Sequence, residues 1–218
     1  MRSPVLSLSS ARGSYSTARP AARFPDPRID RPVAPALPTR LRPPDLLRLT
    51  DEGAEDVLDG RYDHLLPANG EWPTEQRWAT RLLSDDEVDV WLISWTPGKS
   101  TELHDHAGSL GALTVLSGAL SEYRWNGTEL RHRTLTAGDQ AAFPIGWVHD
   151  VMRAPSAEAA TPSRFADPAQ ATTGPLDPTL SVHAYSPPLS AMSYYEVTGH
   201  GILRRTRTVL TDEPEGDM

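Results

Sequence analysis

The strongest constraint on the fold is a succession of short, apolar-rich segments separated by turn residues. They cover residues 88–95, 112–116, 119–125, 128–135, 141–143, 148–152, 180–185, 192–197 and 202–210, with Gly, Pro, Asn and Asp gathered between them. Successive side chains of an extended strand point to opposite faces, so segments this short bury enough surface only by pairing into sheets that close on each other. The pattern predicts a mainly β protein built as a small barrel or sandwich. Asn126-Gly127, between two of the segments, predicts a two-residue type I′ hairpin, whose central residues both need positive φ.

Around this β region the chain changes character. Residues 1–43 are rich in Pro, Ser, Ala and Arg and lack a sustained apolar period, which predicts a disordered tail. Their basic character loosely resembles an organelle transit peptide, but the prolines oppose the amphipathic helix that such peptides need. Pro43 and Pro44 precede Asp45, a predicted N-cap for one or two short helices over 46–58, and Thr74 is placed to cap another running towards Trp78. We therefore expect a helical cover over 44–80 at the start of a domain spanning 44–210. The Ala, Pro, Thr and Ser stretch at 154–179 is too long for an ordinary connection and reads as a flexible surface insertion, and 211–218 reads as an acidic tail.

Composition removes several functions. The chain has no cysteine, so any metal must be held by imidazole or carboxylate. Seven arginines stand against Asp26 and Asp30 in residues 1–40, so the remainder is more acidic than the net charge of −8 indicates. An acidic body argues against nucleic acid as partner. No apolar run is long enough to span a membrane, and a soluble, cytoplasmic and monomeric protein is the expectation.

The seven histidines are then the main candidates for metal chemistry. His104 and His106 are two apart, a spacing that turns both imidazoles to one face of a strand. They lie in an order of Gly98, five residues, His104, one residue, His106, four residues, Gly111, six residues, Gly118. A second segment runs Gly138, five residues, Pro144-Ile145-Gly146, two residues, His149. Together these resemble the two cupin motifs, and they make His104, His106 and His149 the candidate ligands. Gly111 stands where most cupins place a glutamate ligand, and Arg153 where the second motif usually ends in asparagine. His64, His132 and His200 lie outside both motifs; His132 alone falls on a predicted strand between them and is the rival third ligand. Imidazole accepts Zn, Cu, Fe or Ni, so ligand type leaves the metal open.

A third run, Ser181-Val182-His183-Ala184-Tyr185-Ser186-Pro187-Pro188, puts Ser181, His183 and Tyr185 on one strand face, where they can relay hydrogen bonds. With His104-Asp105-His106, Val115-Leu116-Ser117-Gly118 and His149-Asp150-Val151, this run resembles the cysteine dioxygenase type I family of cupin thiol dioxygenases, in its bacterial form. The resemblance extends from about Trp78 to Val197. It implies Fe(2+) held by His104, His106 and His149, and L-cysteine and O₂ as substrates, with cysteine sulfinic acid as product.

It also implies that Arg81, within Trp78-Ala79-Thr80-Arg81, binds the substrate carboxylate from an early strand, and that Tyr185, oriented by His183 and Ser181, lies near the reacting atoms. Ser186-Pro187 is a candidate cis bond. Gly111 stands where animal members carry a cysteine cross-linked to the tyrosine, and Ala79 where some members have a tyrosine that assists the carboxylate. Relatives that oxidise 3-mercaptopropionate tend to carry glutamine at the position of Arg81, so Arg81 favours cysteine over that alternative. A cupin of different chemistry, or one that only binds a ligand, is the remaining reading; the first normally has the glutamate that Gly111 replaces.

Overall fold

The computed structural model describes residues 41–155 and 178–214. Most of the expected N-terminal tail, residues 156–177 of the expected 154–179 insertion and the last residues of the acidic tail, 215–218, lie outside them; Thr179, at the end of that insertion, already belongs to a strand.

Helix α1 (Pro43–Leu58) leads into two single 3-10 turns, Asp63–Leu65 and Ala68–Gly70. Pro43 and Pro44 form the first positions of α1, where a missing N–H costs no intrahelical bond. Asp45 is thus not the N-cap. Arg42 is, and Asp45 sits three residues on, where its Oδ2 accepts the Arg42 N–H at 2.8 Å. The helix expected to run from Thr74 towards Trp78 does not form either, because Trp78 opens strand β1 (Trp78–Ser84). Pairing with the next strand, together with packing of Trp78, Leu82 and Leu83 on a buried cluster, overrides the local signal there.

The remaining strands are β2 (Asp89–Trp95), β3 (His104–Asp105), β4 (Leu110–Ser117), β5 (Ala119–Trp125), β6 (Leu130–Thr136), β7 (Gln140–Phe143), β8 (His149–Arg153), β9 (Thr179–Ser186), β10 (Ala191–Val197) and β11 (Leu203–Leu210). They form a five-stranded sheet in the order β1-β2-β9-β4-β7 and a six-stranded sheet in the order β11-β10-β3-β8-β5-β6. The paired strands are antiparallel throughout. This is the mainly β architecture of two sheets expected from the sequence, with a helix at its N-terminal side. The 125/130 hairpin also forms, with a correction. Four residues connect β5 to β6, only Gly127 has positive φ, and Asn126 Oδ1 accepts the N–H groups of Thr128 and Glu129 instead of entering a type I′ turn.

Two cores follow from strand alternation. Trp91, Ile93 and Trp95 of β2, Leu113 and Val115 of β4, Phe143 of β7 and Tyr185 of β9 meet Leu120, Val151, Met192 and Tyr194 of the other sheet in one cluster. The opposite face of the five-stranded sheet, Val90, Leu92, Ala112, Leu180, Val182 and Ala184, packs under Leu46, Ala54 and Val57 of α1. Each fully buried Leu or Val contributes roughly 1.5–3 kcal/mol. Strands β2 and β9 are therefore buried on both faces. Their inward faces line the interior in which the candidate ligands sit.

Candidate metal centre

His104 and His149 face each other as a residue pair between β3 and β8, and His106 follows β3 by one residue. All three are buried, and their ligand nitrogens lie within 4.8 Å of one another. Among the described residues, the sequence-predicted trio is thus brought to one point. His132 is not: it is exposed on β6, with its Nε2 3.2 Å from Ser121 Oγ. His64 and His200 are exposed as well.

The far nitrogens of two ligands are occupied. His104 Nδ1 donates to the Glu102 carbonyl at 2.9 Å, and Glu102 reaches that position with a φ of 58°, a left-handed conformation uncommon for a side chain of its kind. His149 Nδ1 donates to Glu122 Oε1 at 2.9 Å. A neutral imidazole whose Nδ1 carries the proton offers Nε2 to a metal, so these acceptors select the ligating tautomer.

Glu122 was not singled out by the sequence. It is fully buried, and its Oε1 also accepts the Trp147 indole N–H while Oε2 pairs with Arg133. Burial pushes its pKa up, but the N–H donors and charges of His149 and Arg133 outweigh this and hold it at about 2. A signal existed: Glu122 shares its strand face with Leu120, an inward position where a lone charged residue needs a partner. The loop entering β3 is fastened in the same manner. Asp150, next to His149, accepts from the Thr101 N–H and hydroxyl at 3.0 Å and from the Ser100 hydroxyl at 3.1 Å.

Ser181, His183 and Tyr185 are fully buried and form the expected row: Ser181 Oγ lies 2.9 Å from His183 Nε2, and His183 Nδ1 lies 3.1 Å from the Tyr185 hydroxyl. The row begins one residue earlier than the sequence indicated. The Trp95 indole, a donor only, gives its N–H to Ser181 Oγ at 2.8 Å, so the buried row runs from Trp95 through Ser181 and His183 to the Tyr185 hydroxyl. The Tyr185 ring centroid lies 4.9 Å from that of His106, so the relay ends against the ligand cluster.

Gly111 adjoins the same place. A Cβ there would come within 2.9 Å of Phe143 Cδ2 and 3.5 Å of the Tyr185 ring, so a larger side chain requires Phe143 to move. The position that carries a ligand in most cupins is closed here by aromatic packing.

Arg81 lies on β1 opposite Trp91, its guanidinium carbon 4.4 Å from the Trp91 ring centroid. Its Nη2 is 3.2 Å from the Asp212 carbonyl and 3.4 Å from Asp212 Oδ2, and its Nε is 3.9 Å from Asp89 Oδ1. Asp89 is buried; that burial pushes its pKa up, partly opposed by a hydrogen bond from Ser84 and by Arg81. Neither aspartate was anticipated. Ser186-Pro187 is cis, as the sequence indicated. No helix among the described residues is long and apolar enough to cross a membrane.

Among solved structures, the chain is similar to an uncharacterised double-stranded β-helix protein from Klebsiella pneumoniae (22% identity, covering 65% of this chain and 90% of that one, TM-score 0.36). A cupin superfamily protein from Desulfitobacterium hafniense shares 13% identity over 53% of this chain and 82% of its own, with a TM-score of 0.38. KdgF from a Halomonas species shares 15% identity over 54% and 87%, also with a TM-score of 0.38. The family model for cysteine dioxygenase type I matches residues 73–146, a stretch that includes Arg81, His104, His106 and Glu122 and stops just before His149. That match supports a dioxygenase of the cupin type, and cysteine dioxygenase type I is the family that this chain resembles both in its motifs and in its matched segment.

Proposed function

We propose that this protein is an Fe(II)-dependent thiol dioxygenase that converts L-cysteine and O₂ to cysteine sulfinic acid. The observation that carries the proposal is the meeting of a buried three-histidine cluster with the Tyr185 end of a buried hydroxyl relay. The ligand set fits a divalent ion: three imidazoles converge, and carbonyl or carboxylate acceptors fix two of them with Nε2 presented.

Iron bound there would supply a dication that deprotonates the thiol and brings sulfur and dioxygen together. In the reaction both oxygen atoms join sulfur, which loses four electrons to O₂, and the thiol proton is released. His104, His106 and His149 hold the ion, and Glu102 and Glu122 keep two of them from turning. Tyr185, held by His183, Ser181 and Trp95, would stand beside the reacting sulfur and oxygen atoms as a hydrogen-bonding hydroxyl. Arg81 receives the substrate carboxylate, with its guanidinium fork suited to two oxygens. The aromatic wall of Phe143, Trp95 and Tyr185 keeps bulk water from the thiolate.

The test is oxygen uptake by the iron-loaded protein with L-cysteine, 3-mercaptopropionate and cysteamine, with the sulfinate identified by mass. Uptake greatest with L-cysteine, with two oxygen atoms added per thiol, is expected. No uptake with any thiol overturns the proposal, and preference for 3-mercaptopropionate would reassign the substrate.

A further inference from the structure

The surroundings of Arg81 raise a question that the metal site does not. One guanidinium is faced by two carboxylates, and they differ in kind. Asp89 is 3% exposed and belongs to the fold of β2. Asp212 is 78% exposed and lies beyond the last strand. Its carboxylate lies 3.4 Å from Arg81 Nη2, longer than the roughly 2.7–2.9 Å of a strong charge-assisted hydrogen bond, while its backbone carbonyl, at 3.2 Å, stays with the turn when the side chain rotates.

The segment carrying Asp212 is nevertheless held in place. The Thr211 N–H donates to the Ser190 carbonyl at 3.2 Å, the Glu213 N–H donates to Thr211 Oγ1 at 3.0 Å, and Pro214 is buried. A turn fixed on both sides presents an exposed carboxylate to the arginine. Arg81 also lies over the Trp91 ring, a contact with the sheet that does not involve Asp212.

Resting on the reading of Arg81 as the substrate-carboxylate anchor, we propose that Asp212 is a displaceable stand-in for that carboxylate and sets how strongly the site selects carboxylate-bearing thiols. Two carboxylates already face the one guanidinium, so a third, from the substrate, competes with them for it. Asp212 is the one able to leave, by side-chain rotation into solvent. Its turn keeps it close enough to return when the substrate departs. Asp212 is thus a positioning residue that acts through Arg81, and its effect falls on binding of the carboxylate and not on the oxidation step.

The experiment is anaerobic titration of the iron-loaded protein with L-cysteine and with cysteamine, which lacks the carboxylate, for the unmodified chain and for Asp212→Asn and Asp212→Ala. Exposed ion pairs are weak, so both variants should bind L-cysteine about two- to fivefold more tightly while cysteamine binding stays unchanged. In turnover the same variants should show a lower KM for L-cysteine with kcat retained. L-cysteine binding that is unchanged or weaker in both variants overturns the proposal, because Asp212 then either does nothing or supports Arg81. An equal change for both thiols also overturns it, as a general disturbance of the site. Failure of the unmodified chain to bind either thiol would instead remove the thiol-site reading and this proposal with it.

Discussion

The two sides of the interior are finished differently. On the six-stranded sheet, His104 and His149 are buried and fastened behind by Glu102 and Glu122, and Glu122 is itself satisfied by Trp147 and Arg133. At the edge of the five-stranded sheet, Arg81 is about one-third exposed and divided between a buried and an exposed aspartate. The first arrangement suits a group that must be held in one geometry. The second suits one that exchanges partners, because a half-exposed ion pair contributes little and breaks readily. Under the proposed function, a metal site and a substrate anchor place opposite demands on the same interior, and depth within it separates them.

The largest effect expected from breaking this contrast is at the ligands. His149→Ala should lose iron and activity together, measured by metal analysis and oxygen uptake, whereas His132→Ala should keep both. The reverse result would reassign the third ligand.

Next comes the fastening. Glu122→Gln removes the anionic acceptor behind His149 and should weaken iron binding by about 10- to 100-fold in competition with a chelator, since partners behind ligating histidines carry effects of that size. An unchanged affinity would mean that packing alone orients His149. On the other side, Arg81→Ala should leave the iron content intact and weaken L-cysteine binding by about ten- to a hundredfold, the value of a charged hydrogen-bonded contact. Loss of iron in that variant would erase the separation between the two sides.

The smallest effect concerns Asp89. Its pKa is raised in the folded state, chiefly by burial, so ionisation at neutral pH opposes folding, and this cost disappears as pH falls through the raised value towards that of the unfolded chain. Asp89→Asn should therefore raise the thermal midpoint modestly at pH 7, and the gain should shrink as the solution is acidified. A gain independent of pH would trace the effect to packing and not to charge.

Legibility in the sequence followed the same division. The histidine trio could be read because its members lie in short motifs whose spacing and glycines are local, and strand alternation alone places Ser181, His183 and Tyr185 on one face. Glu122 and Trp95 were missed because their partners, His149 and Ser181, are far along the chain, and only sheet pairing brings them together. Helical structure over 46–58 is legible from the prolines and Asp45 at its start, but the structure makes it one helix and puts its cap at Arg42, on the other side of Pro43 and Pro44. Strand β1 was obscured as an element because its partner, β2, supplies what its own residues do not signal.

By itself, the sequence determined that this chain would be mainly β, with three histidines able to meet at one point. Alternation, turn residues and ligand spacing are short-range properties that survive without coordinates. Only the tertiary structure decided what stands behind and beside those histidines: Glu122 against His149, Trp95 at the head of the Tyr185 relay, Phe143 closing the space beside Gly111, and Asp212 on Arg81. Each is a contact between residues distant in the chain, fixed by the register of two antiparallel sheets folded face to face, and no local pattern encodes that register.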